Sequence, residues 1–262
     1  MMTAREVIEL IHKNVGIPWN ERSYRDTFKI GDPDATVTGI ATTFMSNFDV
    51  LKRAHDAKLN LVITHEDTFW NDPDDTKNLG ANRLYKLKTE YCRQNGIVIW
   101  RIHDHQHANK PDQIVVGLLR GVLGIEDKQA TMGGGKVYAV PETTLGELAS
   151  AIKKRTGARA IRVVGDPKAR VSRIVIGPGY ATPRLTPDAD VVIGGEAQES
   201  DGFFDNTSYV RDAAALGFPK GQIILGHAVS EEDGMGEFAG WLRGLVSGVP
   251  VKHIPAGEPY WT

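Results

Sequence analysis

The sequence predicts an α/β protein made of two similar domains, each with a mostly parallel sheet, and a cleft between them. Three observations lead there. Short runs rich in Val and Ile alternate with amphipathic helical periods, the mark of parallel strands joined by crossover helices. The same alternation restarts in the second half of the chain. Between the halves lies EDKQATMGGGK, whose consecutive glycines Gly133 to Gly135 are its best boundary signal. The expected domains are therefore 1–127 and 136–262, joined by a Gly-rich segment at 128–135.

The elements follow in order. MMTAREVIELIHKN reads as an amphipathic helix capped near Thr3 that buries Val7, Ile8, Leu10 and Ile11. Strand, helix and strand come next at VTGIATT (37–43), NFDVLKRAHDAK (47–58) and LNLVIT (59–64), then a helix near 81–95 ended by Gly96, and the strand IVIWRI (97–102). PDQIVVGLLRGVLG supplies a helix that closes the first half. In the second half Thr144 and Glu147 have the spacing of a capping box ahead of an apolar helical face. Strands are expected at 161–165, 171–177, 190–195 and 222–226, a helix at 232–248, and an edge strand at VPVKHIP (249–255).

Bulk properties narrow the function. At 262 residues and a net charge of −2, with 31 basic and 33 acidic residues spread along the chain, there is no electrostatic case for nucleic acid. The single cysteine, Cys92, excludes an intrachain disulfide framework and fits a reducing cytoplasm. In its helical context it reads as a packed thiol. The first residues carry charges throughout and lack a long apolar core, which argues against a signal peptide or a membrane span.

The chemistry is concentrated at strand ends. RIHDHQH places His103, His105 and His107 at alternate positions after a buried strand, and in an extended chain these would crowd on one face. Taken singly, each histidine fits a solvated loop; as a triplet they suit a metal ion. LVITHED and IILGHAVSE likewise put His65 with Glu66, and His227 with Glu231, just past predicted strands. In open α/β sheets that edge is where ligands bind. His65 and Glu66 are adjacent and reach neighbouring ions only from a turn, whereas His227 and Glu231 are one helical turn apart. Imidazole with carboxylate suits zinc, manganese or iron. His12, His55 and His253 lie on predicted helix faces or an edge strand, and Gly177 and Gly179 in IGPGY fit either a tight turn or a close backbone approach. No phosphate loop, dinucleotide fingerprint or serine elbow is present.

With VITHED, IGPGY, VVIGGE and GHAVSEEDG in view, nearly the whole chain resembles the Nif-three-like family (NGG-one interacting factor three), which also carries the label GTP cyclohydrolase I type 2-like. The resemblance implies two similar α/β domains, a pair of metal ions in the cleft between them, and ring-shaped homohexamers. It places His65, His227 and Glu231 on ligand positions. Two departures stand out: Glu66 replaces the family's usual second histidine, and His107 replaces its usual aspartate four residues after His103. The exchange conserves the ligand inventory. Thr68, Phe69 and Trp70 would wall the cleft, and Glu196 of VVIGGE would orient a ligand or act as general base.

The expected function is a metal-dependent hydrolase of a small, nucleotide-like or heterocyclic molecule. Its two divalent ions would be held by His65, Glu66, His103, His107, His227 and Glu231, with Glu196 accepting a proton. A rival reading is a noncatalytic metal-binding interaction or regulatory scaffold. A third has one site abolished by the two exchanges.

Overall fold

A computed structural model describes residues 2–133, 135–197, 199 and 203–261; Gly134, within the expected linker, lies outside them. Two compact units are found, one of residues 1–113 with 234–256, the other of 114–233 with 257–262. This division differs from the expected 1–127 and 136–262 for two reasons visible within each unit. The closing strand pairs into the first sheet, and the helix after residue 113 packs into the second core.

In the first unit, α1 (Ala4–Asn14) starts at a full capping box, with Thr3 and Glu6 each accepting from the other's backbone amide. Such a cap stabilises by about 1 kcal/mol. Ala4, Val7, Ile8 and Ile11 are buried, while Leu10 is only half-buried. The sheet comprises β1 (Phe28–Ile30), β2 (Ile40–Thr43), β3 (Leu61–Thr64), β4 (Val98–Arg101) and a last strand at residues 251–253, in the order β1-β4-β3-β2 and then the last strand. Between the strands come α2 (Phe48–Asp56), capped by Asn47, and α3 (Arg83–Gln94), capped by Asn82. Val50, Leu51 and Ala54 of α2 and Cys92 of α3 cover Ala41, Val62 and Ile99. Every residue of β2, β3 and β4 is buried, which is why these strands read as apolar runs. Only β1 runs antiparallel, on an edge that the sequence left unassigned.

Register places the site. Thr43, Thr64 and Arg101 lie side by side at the C-terminal ends of β2, β3 and β4, so the segments after β3 and β4 emerge at one edge. After β4 the chain forms a short helix, α4 (Asp104–Ala108).

The second unit begins with α5 (Gln113–Leu118), which continues as a widened π-helical turn over residues 119–123. It holds β5 (Val137–Thr144), α6 (Leu145–Thr156), β6 (Arg162–Val164), β7 (Arg170–Gly177), β8 (Val191–Gly194), α7 (Asn206–Ala215) and β9 (Gly221–Ile224). The sheet order is β5-β7-β8-β9-β6, with β7, β8 and β9 parallel and the two edges antiparallel. The expected capping box of Thr144 and Glu147 starts α6. Leu145, Leu148 and Ile152 of α6 pack with Val115 and Leu118 of α5 on one face of the sheet, over Ile174, Ile193 and Ile223. Val210 of α7 packs on the other face with Val175 and Val192.

The helix α8 (His227–Leu245) begins in the second unit and ends in the first, and β10 (Val251–His253) then pairs parallel with β2. Among the described residues, no helix is long and apolar enough to cross a membrane.

Candidate metal centre

Three histidines of the first unit converge. One ring nitrogen each from His65, His103 and His107 lie within 4.8 Å of one another, and the Nε2 atoms of His65 and His107 are 3.2 Å apart. His65 leaves β3 in a bend and is buried, its Nδ1 facing the carbonyl of Ile102 at 3.1 Å and Oε1 of Gln106 at 2.9 Å. His107 on α4 turns Nδ1 to the buried carboxylate of Asp112 at 2.9 Å. The Nδ1 of His103 lies 3.0 Å from Asp104, whose carboxyl is held well below the usual range chiefly by that contact. Burial pushes the His103 imidazole down, towards the neutral form a ligand requires.

These partners fix the tautomers. A carbonyl or carboxylate oxygen accepts, so each Nδ1 carries the proton and each Nε2 a lone pair. Two such lone pairs facing across 3.2 Å repel unless a cation sits against both. Two nitrogens bound at about 2.0–2.1 Å to one tetrahedral ion lie about 3.3 Å apart, so the spacing fits a shared zinc-like ion.

Glu66 is buried beside this group. Its Oε2 accepts from Arg101 at 2.8 Å, and Oε1 lies 3.6 Å from Nε2 of His103. Arg101 is fully buried and also donates to the carbonyls of His65 and Asp72. A buried carboxylate needs such a partner, and Arg101 offsets the charge of Glu66 beside the three histidines.

His105 does not join the cluster. The sequence treated 103, 105 and 107 as one strand face, but the strand ends at Arg101 and the next residues turn into α4. Helical spacing sends positions i and i+4 together and i+2 away. His105 stacks on Trp19 with ring centroids 3.5 Å apart, accepts the Asn20 amide at Nε2, and bonds Asp26 through Nδ1. Asp26 in turn accepts the backbone amides of His103, Asp104 and His105 at 2.6, 3.1 and 2.9 Å. It thus caps the helix that carries His107 from 77 positions away along the chain, a role no local pattern reveals.

Thr68 and Phe69, expected to wall a cleft, are buried within the first unit. Asp74 accepts both their amides, Phe69 meets the Tyr85 ring, and Trp70 alone of the three is exposed. The Cys92 thiol is buried and pushed up to about 12 by that burial, which makes it a packing group rather than a nucleophile. His12 stacks on Trp19, and His253 lies on β10 with Nδ1 near the Thr42 carbonyl.

The second unit carries its own histidine–carboxylate group. At the start of α8, His227 presents Nδ1 to Glu196 at 2.6 Å and Nε2 to Glu231, one turn on, at 3.3 Å. Glu196 follows β8 and His227 follows β9, adjacent parallel strands, so both stand at the C-terminal edge of the sheet. IGPGY closes over them. A Cβ on Gly179 would collide with the Glu231 carboxylate and the His227 ring, and its φ is +45°. The glycine therefore serves a close approach. Its amide donates to Ser230 at 2.8 Å. Beside Glu196 and His227 opens a cavity of about 650 Å³ that Arg162, Ile224, Tyr260 and Trp261 also line.

Comparison with known proteins agrees with this fold. The profile of the family described as Duf34/NIF3 (NGG1p interacting factor 3) matches residues 2–256. Among solved structures, Staphylococcus aureus protein SA1388 has a TM-score of 0.72 at 17% identity, over 100% of this chain and 99% of that one. The Bacillus cereus protein related to NIF3 has a TM-score of 0.72 at 15% identity over the same shares. Protein ybgI, described as of unknown function, has a TM-score of 0.72 at 20% identity, over 99% of this chain and 100% of that one. No curated protein matches the chain.

Proposed function

Because this chain belongs to the Duf34/NIF3 family, we propose that it is a dinuclear metal-dependent hydrolase of a small, nucleotide-like or heterocyclic molecule. The first unit supplies His65, Glu66, His103 and His107 as ligands, and the second supplies His227 and Glu231, for two divalent ions of zinc, manganese or iron. The observation that carries the reading is common to all four histidines. Each has Nδ1 against an oxygen acceptor and Nε2 directed at another ligand atom, the pattern of metal-binding imidazoles.

Divalent ions held by these residues would supply a bound water of lowered pKa and polarise the oxygen of a substrate carbonyl or phosphoryl group. The chain's own residues do the rest. Asp112, Asp104, Gln106 and Glu196 hold the ligand rings in one tautomer and one orientation. Arg101 neutralises Glu66 and fixes its rotamer. Glu196 engages His227 through one oxygen, and its carboxylate, which lines the cavity, takes the proton released as water attacks. From the resemblance we also take assembly into homohexamers, and from the cysteine usage a cytoplasmic setting.

The test is turnover of a panel of cyclic amides and phosphoesters by the protein as purified, after chelation, and after return of zinc, manganese or iron(II). The expected result is hydrolysis of at least one member, lost with the metal, restored by it and abolished in Glu66→Gln. Full metal occupancy with no turnover of any member would favour a noncatalytic scaffold instead.

A further inference from the structure

We propose that the cavity of the second unit binds a flat aromatic anion, with Tyr260 and Trp261 stacking on its ring and Arg162 facing its charge. The segment that brings these aromatics is held in place by a buried clasp. The Glu258 side chain is only 8% exposed, and its carboxylate accepts the backbone amides of Arg159 and Ala160 at 2.5 and 3.0 Å. Arg159 returns the contact by donating to the Glu258 carbonyl. A carboxylate satisfied by two amides and a guanidinium is a fixed anchor. Tyr260 and Trp261, a few residues on, are nonetheless 61% and 83% exposed.

Two large rings left open beside a cavity, on a segment tied down by a buried charge, are arranged for something that covers them. The cavity's volume of about 650 Å³ falls in the range of small-molecule sites. It opens at the C-terminal ends of β8 and β9, where α/β sheets bind ligands, and antiparallel pairing sets Arg162 of β6 opposite Ile224 there. Arg159 is tied to Glu258, whereas Arg162 is exposed and available to a carboxylate, sulfonate or phosphate. Glu196 and His227 line the same cavity, which puts the bound molecule against the proposed proton acceptor and one proposed ligand. In that respect the inference rests on the proposed function, deepening it to a substrate class. Binding itself needs no metal.

Calorimetric titration with naphthalene-2-sulfonate tests it, with cyclohexanesulfonate as the anion without a flat ring and 2-naphthol as the flat ring without the charge. The protein is used as purified and again after chelation. The naphthalene sulfonate should saturate one site per chain in both forms, and each control should bind about tenfold more weakly or worse. Trp261→Ala and Arg162→Gln should each weaken binding about tenfold, while loss of the exposed aromatic Phe218 in Phe218→Ala should leave it unchanged. Equal affinity in wild type and Trp261→Ala, or no saturable binding, would overturn the proposal. So would a change in sedimentation of Trp261→Ala with binding intact, because the ring would then cover another copy of the chain. Binding in metal-free protein would stand even if no hydrolysis were found, so the two readings fail separately.

Discussion

Oε1 of Glu196 lies 2.6 Å from Nδ1 of His227, while Nε2 of the same ring faces Glu231 at 3.3 Å. One carboxylate orients the imidazole and the other shares its outward side. The charge on Glu196 raises the basicity of Nε2, and Gln at this position keeps an acceptor but loses the charge. Glu196→Gln should therefore weaken metal binding by about 10–100-fold without lowering Tm appreciably, as read by competition with a fluorescent chelator. Unchanged affinity would remove Glu196 from the centre.

Asp26 anchors α4 by accepting three successive backbone amides and the His105 ring. In Asp26→Asn, one of the two oxygens becomes a donor facing donors. A buried donor left without an acceptor costs about 1–3 kcal/mol, more where a charge is lost. Both stability to urea and metal affinity should fall, because His103 and His107 ride on that helix. Metal affinity at the wild-type level in a destabilised Asp26→Asn would show that the cap does not position the ligands.

Gly179 approaches His227 and Glu231 so closely that no side chain fits. Gly179→Ala must displace that pair or its own loop, and it also strains a positive φ. Metal content should fall in Gly179→Ala, while Gly217→Ala, whose added Cβ meets nothing within 4 Å, should cost only its backbone strain. Equal metal content in both variants would contradict the close-approach reading.

Lys88 is buried, donates to the Thr68 carbonyl at 2.6 Å, and is pushed down by burial to about 8. The sign follows from the depressed value. Below pH 8 the folded protein bears the full cost of the buried ammonium. Between pH 8 and 10.5 the unfolded chain binds the extra proton, so stability from this group rises with pH. Lys88→Met should be more stable than wild type at pH 7, less the roughly 1 kcal/mol of the lost hydrogen bond. Its advantage should shrink by up to about 1.4 kcal/mol per pH unit above 8, measured by paired urea melts. A pH-independent difference would show that Lys88 does not titrate in the folded state over this window.

Much of this architecture was legible in the sequence because it is locally encoded. The capping boxes at Thr3 and Thr144 act within one helical turn, and β3, β4, β8 and β9 are buried throughout and read as short, largely apolar runs. His65, His107 and His227 stand out because each follows such a run. What the sequence hid depends on distant partners. The turn of α4, which separates His105 from His103 and His107, is held by Asp26, and a period of two was assumed where the chain follows the helical period. Arg101, Asp112 and Gln106 look like ordinary polar residues until the fold brings them to Glu66, His107 and His65. The placement of β10 against β2 is likewise a pairing of residues some 200 positions apart, beyond any periodicity.

The most direct test of the whole account is the metal content of protein purified without chelator, counted by inductively coupled plasma mass spectrometry. The account predicts about two divalent ions per chain, reduced in His227→Ala and His107→Ala and unchanged in His253→Ala. Protein without bound metal, or equal loss in His227→Ala and His253→Ala, would contradict it.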